Sequence, residues 1–425
     1  MRNIALAVLM EVMEDGAYAN IALRKALGQA NLEPRDRAFV TELVNETLRN
    51  MGYLDAVINF FASLPVDKMR PYIRNLLCMS VCQMRILTKV PPHAAVHEAV
   101  ELAKSSGNGT LAGFINGVLR NINRRPDEPV LSDTSWAVKY SCPPRLAAHL
   151  TRWLGEDAAR EFARYSHAAP LVTIYANTTK ITSAALAEKL TTHGMTVTPL
   201  EGAFLALRNT GDISVTEAFQ AGEFFVMDPG AMAVVDALQL QPAQTMLDLC
   251  AAPGGKSFAA ACATGGSAII TAMDIHPHRV TLMEMTRKRL GLQNITTRVG
   301  DATVPATPLA TTENVQPMLY DAVLLDAPCS GLGTLRKRPE IKLRYNGIDP
   351  TLPDLQRKLL TAAATHVAPG GILVYATCTV TLEENAQQVA SFCAAHPGFS
   401  LEHEAQLLPG AHSDGFYIAR LRKMT

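Results

Sequence analysis

A chain of 425 residues, 48% hydrophobic and 18% charged, exceeds what one core normally organises and points to two or three globular domains. Lys+Arg and Asp+Glu stand at 39 each, so bulk charge neither selects nor excludes a polyanionic partner and local charge must decide. No apolar run reaches the ~18 residues of a membrane helix, and the eight cysteines lack zinc spacing, so neither a membrane span nor a metal is expected.

The opening stretch carries Glu11, Glu14 and Asp15 at helical spacing and reads as an amphipathic helix rather than a signal peptide. With scattered cysteines, this points to the reducing cytoplasm. Apolar residues recur at three and four spacing over Ile4–Val12, Phe39–Leu48, Tyr53–Phe61, Tyr72–Leu87 and His93–Ala103. Breaks fall at Gly16, Pro34, Pro65, Pro91-Pro92 and Gly107. Residues 1–125 are therefore expected to form an all-α bundle. They hold 15 Lys+Arg against 11 Asp+Glu and close with the arginine-bearing segment Phe114–Arg125. Residues 126–170 read as a helical connector, with a loop over Arg125–Ser135 and a helix begun after Pro143-Pro144, where proline costs least. Over residues 171–230 short alternating strands surround one helix, which predicts a small α+β subdomain serving the substrate.

From residue 231 to 425 strands and helices alternate, and the strands are near-continuously apolar, as in a parallel doubly wound sheet. Its centre is Thr245–Ser257, a short strand, a tight Pro253-Gly254-Gly255 turn and an Ala-rich helix. Glycine lets backbone approach a ligand, and the helix start offers free N–H groups. The next strand ends at Asp274, 20 residues after Gly254, where a ribose hydroxyl pair expects an acceptor. Asp248, Asp274, Asp301, Asp326 and Cys378 all fall at or just past strand ends, the edge where such sheets bind ligands. A nucleotide-type ligand follows.

Two cysteines, Cys329 in Asp326-Ala327-Pro328-Cys329 and Cys378 in Thr377-Cys378-Thr379, share that edge with an acid. A thiolate can add to C6 of cytosine and make C5 nucleophilic towards an electrophilic methyl group. An acid near N3 steadies the developing charge, and a base then removes the C5 proton. Either cysteine is a candidate nucleophile on these grounds. The loop that follows holds Arg336, Lys337, Arg338, Lys342 and Arg344 against the single acid Glu340, a composition that suits RNA phosphates. A base embedded in a helix would have to be unstacked, so a single-stranded or hairpin-loop target is expected.

The segments YANIAL, EPRDRAFVTELVNETLR, PPHAAVHEAVELAK and FINGVLRNINR resemble the NusB-like RNA-binding bundle found in front of some methyltransferases. CAAPGGKS, the acid of MDIHP, GDAT, DAPCSGLGTLRKRPEIK and YATCTVTLEEN resemble, in order, the motifs of the RNA cytosine-C5 methyltransferases of the Sun/Fmu/NOL-NOP type. Together they cover nearly the whole chain, and they are most similar to the bacterial 16S ribosomal RNA cytosine-967 branch. The resemblance implies a class I, Rossmann-like methyltransferase domain over residues 231–425, S-adenosyl-L-methionine as cofactor with S-adenosyl-L-homocysteine as product, and 16S ribosomal RNA as partner. A monomer is expected. By the same resemblance the backbone of Cys250, Ala251, Ala252, Pro253, Gly254, Gly255 and Lys256 cradles the methionine part, Asp274 holds the ribose and Asp301 reaches the adenine. Asp326 faces cytosine and cofactor, Cys378 is the nucleophile and Cys329 helps release the product. Lys256 is a candidate to orient the base or the cofactor. The other reading kept open is an RNA-binding assembly or antitermination-like factor without catalysis. Relatives often carry Trp where Leu343 stands and Arg-Val-Asn where Tyr175-Ala176-Asn177 stands.

Overall fold

The computed structural model describes residues 1–87, 89–129, 136–208, 210–305 and 318–425. Part of the expected Arg125–Ser135 loop, 130–135, lies outside the described residues. The chain divides into two compact units, one of residues 1–168 with 335–347 and one of residues 169–334 with 348–425.

The first unit is helical. Its bundle comprises Arg2–Met13, Ala19–Gln29, Pro34–Arg49, Met51–Phe61, Pro71–Arg85, Pro92–Ser105 and Ala112–Arg124. Proline stands in the first turn of three of these, where its missing N–H would be unpaired in any residue. Their apolar stripes meet in a core in which Leu9, Leu43, Leu48, Leu54, Ile58 and Leu76 are fully buried. Each such side chain contributes on the order of 1.5–3 kcal/mol. The helix Ala19–Gln29 is absent from the periodicity reading because Ala19, Ala22, Leu23 and Leu27 make a thin buried stripe. The connector carries two full helices where one was expected, Pro144–Leu154 and Glu156–His167. Gly155, at φ +82°, turns the chain between them. The same unit includes the short helix Pro339–Leu343, whose Leu343 packs against the bundle core.

The second unit holds two sheets. The small one comprises β1 (Val172–Ala176), β2 (Thr196–Pro199), β3 (Phe204–Arg208) and β4 (Phe224–Val226), in the antiparallel order β2-β3-β1-β4. Buried Asn177 ties it to the larger part of the unit by donating to the carbonyls of Gly222 and Leu290, both at 2.9 Å. Tyr175 is buried, its ring 4.9 Å from that of Phe204 and 5.5 Å from that of Phe225. Tyr175 and Leu343, two of the departures from the family pattern, are thus packing residues here.

The large sheet comprises β5 (Thr245–Asp248), β6 (Ile269–Asp274), β7 (Ile295–Val299), β8 (Tyr320–Asp326), β9 (Val367–Thr377), β10 (Phe399–Leu407) and β11 (Phe416–Lys423). Their order is β10-β11-β9-β8-β5-β6-β7. β7, β6, β5, β8 and β9 run parallel, whereas β11 pairs antiparallel with both β9 and β10. The sheet is therefore mixed, not wholly parallel as the alternation of elements suggested. The hairpin β10–β11 needs no crossover helix, so antiparallel pairing is the direct route. β9 also begins earlier than the expected Ile372–Thr377, running through Pro369-Gly370-Gly371 with a register irregularity and Gly370 at φ +74°. From β5 the chain winds outward through β6 and β7, then returns to place β8 on β5's other side. The carboxyl ends of β5 and β8 thus form the switch point at which such sheets bind ligands.

Candidate active site

At the end of β5, Asp248 is buried and accepts a 2.6 Å hydrogen bond from Ser257 Oγ. Burial pushes its carboxyl up to about 7. Its other oxygen, Oδ1, is buried without a protein partner, an unmet acceptor beside the glycine turn. Gly254 has φ +103°, and a Cβ there would come within 2.4 Å of the Phe258 ring, so glycine is required on both counts. The helix Gly255–Ala263 that follows has no side-chain cap, leaving first-turn N–H groups available to an anion. Burial pushes the Cys250 thiol well up. Asp274, buried at the end of β6, accepts from the His276 N–H at 2.9 Å, which opens the helix Pro277–Leu290. Asp301, past β7, is exposed and accepts from Thr303 N at 2.9 Å and Oγ1 at 2.7 Å, which hold its carboxyl below the usual range. An uncapped helix start, a glycine-only turn and an orphaned buried carboxylate oxygen fit a zwitterionic amino-acid tail with hydroxyls beyond it.

The ends of β8 and β9 carry the reactive groups. Lys256 Nζ lies 2.5 Å from Asp326 Oδ2 and 5.2 Å from the centre of the Phe416 ring. Burial pulls this ammonium down, and the Asp326 carboxylate more than reverses that, leaving it above the ordinary lysine value. Lys256 is thus an ion-pair partner, not a solvated helix start. Cys329 Sγ and Cys378 Sγ are 3.4 Å apart. Their hydrogen bond, burial and the charges of Glu384 and Asp326 push the Cys329 thiol well up. Gly333 N donates to the Cys378 carbonyl at 2.8 Å, and a Cβ on Gly333 would come within 2.2 Å of the Gly415 carbonyl. The loop after Cys329 is thereby fastened to the end of β9.

The basic loop differs from its expectation. Lys342 and Arg336 are buried, at 3% and 4% exposure. Lys342 Nζ donates to the carbonyls of Arg49 and Tyr140 at 2.9 and 3.0 Å, and burial draws it down to about 7. Arg344 donates to the carbonyls of Gly16, Val12 and Ala17, where the first helix has ended. These three cations serve the interior of the first unit, whereas Lys337 and Arg338 are exposed. Charge counting could not separate the two groups. Sequence reasoning also passed over the buried polar residues Gln356, Glu384 and Asn385, because a Glu-Glu-Asn run ordinarily marks solvent.

A mixed seven-stranded sheet of this order, with a glycine turn at its switch point, defines a Rossmann-like class I methyltransferase. The models of the 16S rRNA methyltransferase RsmB/F family and the NusB family match residues 235–422 and 1–124. A probable ribosomal RNA small subunit methyltransferase B of Bacillus subtilis is 35% identical, over 99% of this chain and 98% of its own length. The ribosomal RNA small subunit methyltransferase B of Cronobacter sakazakii is 31% identical, over 100% of this chain and 98% of its own length. Among solved structures, that of PH0851 superposes with a TM-score of 0.78 at 26% identity, covering 99% of this chain and 97% of the other. The chain belongs to the RsmB/F family of S-adenosylmethionine-dependent methyltransferases and carries a NusB-family bundle at its front.

Proposed function

We propose that this enzyme methylates C5 of a cytosine in 16S ribosomal RNA through a covalent bond between Cys378 and C6. The observation that carries the reading is the pair of thiols 3.4 Å apart at the ligand-binding edge of the sheet, one of them three residues after Asp326. Bound S-adenosylmethionine would supply an electrophilic methyl group. The first-turn N–H groups of Gly255–Ala263 and the free Oδ1 of Asp248 would hold its amino-acid end, Asp274 its ribose and Asp301 its adenine.

Two thiols this close resist bearing charge together, so they do not both ionise. Cys329 is the thiol whose surroundings resist its ionisation, and we assign the attack to Cys378. Its sulfur forms a bond to C6, and the C5=C6 electron pair becomes available at C5. The negative charge that develops towards N3 is met by the Lys256–Asp326 pair, with Asp326 acting as an acid that donates to N3 when it carries a proton. Once the Cys378 lone pair is committed to C6, the largest of the interactions that raise the Cys329 thiol is gone. After C5 has accepted a methyl group, Cys329 can lose its proton to solvent and take the C5 proton. Those electrons restore C5=C6 and expel Cys378 as thiolate. Lys337 and Arg338, exposed on the first unit, are the loop cations left for RNA phosphates.

The test uses radiolabelled S-adenosylmethionine and 16S RNA transcript with wild type, Cys378→Ala and Cys329→Ala. Cys378→Ala is expected to be inert, with a loss on the order of 10⁵-fold, and Cys329→Ala to trap a covalent RNA adduct. An adduct with Cys378→Ala would exchange the two roles, and a wild type that transfers no methyl would favour an RNA-binding factor.

A further inference from the structure

Two neighbouring residues, Glu384 and Asn385, are buried at 0% and 2% exposure, and their side chains bond to the segments that bear the cysteines, to Gln356 and to Gln406. Glu384 Oε2 accepts from Ser330 N at 2.8 Å and from Gln356 Nε2 at 3.0 Å. Its Oε1 accepts from Ser330 Oγ at 2.5 Å and Thr381 Oγ1 at 2.8 Å. Four donors thus converge on one carboxylate, two on each oxygen. The same Gln356 Nε2 donates to the Pro328 carbonyl at 2.9 Å. The backbone is therefore gripped on both sides of Cys329, at Pro328 and at Ser330. The Glu384 carbonyl in turn accepts from Tyr375 Oη at 2.6 Å, which fastens the clamp to β9.

Asn385 does the same for the other cysteine. Thr377 Oγ1 donates to its Oδ1 at 2.6 Å, and its Nδ2 donates to the Thr379 carbonyl at 3.1 Å. Cys378 stands between them. A further 2.9 Å bond from Asn385 Nδ2 to Gln406 Oε1 anchors the amide to β10. The two brackets join directly through the 2.7 Å contact of Ser330 Oγ with Thr379 Oγ1.

We propose that Glu384 and Asn385 are positioning residues that set the thiol-to-thiol distance, Glu384 acting on Cys329 and Asn385 on Cys378. Their separate targets give them separate consequences, and this division rests on the roles assigned above to the two cysteines. Loss of Glu384 frees the thiol that must reach the C5 proton, so release fails after attack has succeeded. Loss of Asn385 frees the attacking sulfur, so the adduct does not form. Glu384 also acts on Cys329 by charge. Around that sulfur stand Cys378 and Tyr375 on β9 and its end, Asp326 on β8 with Lys256 paired to it, and Glu384 itself. Glu384 is thus one of two carboxylates holding Cys329 protonated.

The experiment uses the full chain as Glu384→Gln and Asn385→Ala beside wild type, with melting curves to establish folding. With 16S RNA and S-adenosylmethionine, Glu384→Gln should accumulate a covalent protein–RNA adduct on denaturing gels. Its kcat should fall about 10- to 100-fold while KM for RNA changes by less than about threefold. Asn385→Ala should give a comparable loss with no adduct. Independently of activity, the pH midpoint for iodoacetamide alkylation of Cys329, read by peptide mass spectrometry, should fall by about one unit in Glu384→Gln. Ser330→Ala, which keeps the carboxylate but removes one donor, should accumulate adduct without that shift and serves if Glu384→Gln does not fold. Identical adduct patterns for the two positions, or an unchanged Cys329 midpoint in Glu384→Gln, would overturn the assignment. A wild type that transfers no methyl, together with a shifted midpoint, would defeat the proposed reaction and leave the hold of Glu384 on Cys329 standing.

Discussion

Two lysines, one in each unit, Lys256 partly and Lys342 fully buried, show how a neighbour decides what burial does to an ammonium group. Lys256 lies 2.5 Å from Asp326, and the carboxylate keeps it charged above the ordinary lysine value despite its loss of water. Lys342 is more deeply buried, meets two backbone carbonyls, and is drawn down to about 7. Carbonyl dipoles satisfy the N–H donors without supplying the opposite charge that would offset desolvation. Nearby Arg49 adds repulsion. One lysine is therefore equipped to hold the Asp326 carboxylate, and the other is an internal strut.

The largest effect should come from breaking the pair. Lys256→Met leaves Asp326 without its cation and should lower kcat/KM for methyl transfer on the order of 10³-fold. A loss below tenfold would remove the ion pair from the mechanism. Next comes the strut. A lysine lowered from 10.5 to about 7 binds fewer protons folded than unfolded between those values, so the first unit gains stability as pH rises through that window. Urea unfolding between pH 7 and 9 should show a gain of about 1 kcal/mol per pH unit, a slope that Lys342→Met abolishes. Both tryptophans, Trp136 and Trp153, belong to this unit, so their fluorescence reports it selectively. An equal slope in wild type and variant would mean that Lys342 stays charged. The smallest effect concerns RNA. Arg338→Ala should reduce the slope of log Kd against log salt by about one, with a change of a few-fold in affinity. Lys342→Met should leave that slope alone, and a matching reduction would return Lys342 to the RNA surface.

Periodicity located most of the bundle helices and the strand–helix alternation, because those patterns record which faces are buried. The carboxylates and thiols at strand ends were legible for the same reason, since topology brings the ends of parallel strands to one edge. Direction was not legible for β10 and β11, whose apolar content is compatible with either pairing. The basic loop misled because sequence counts charge without seeing packing. Lys342 and Arg344 look like phosphate ligands until their carbonyl partners, distant in sequence, are known, and Arg336 until its burial is. Glu384 and Asn385 stayed hidden for the converse reason. Nothing local distinguishes a buried, fully bonded Glu from a solvated one, and their partners Ser330, Gln356 and Gln406 come from other elements.

The inclusion of residues 335–347 in the first unit has a consequence for synthesis on the ribosome. The carbonyls of Val12, Gly16, Arg49 and Tyr140 wait for donors that emerge much later in the chain. At about 5–20 residues per second, the helical unit stays incomplete for roughly 10–30 s after Ala168 has been made. During that interval the strands β1–β8 have already appeared, so the amino-terminal half cannot finish first. A fragment ending at Ala168 would likewise lack its strut, and the bundle is completed only between the synthesis of β8 and that of β9.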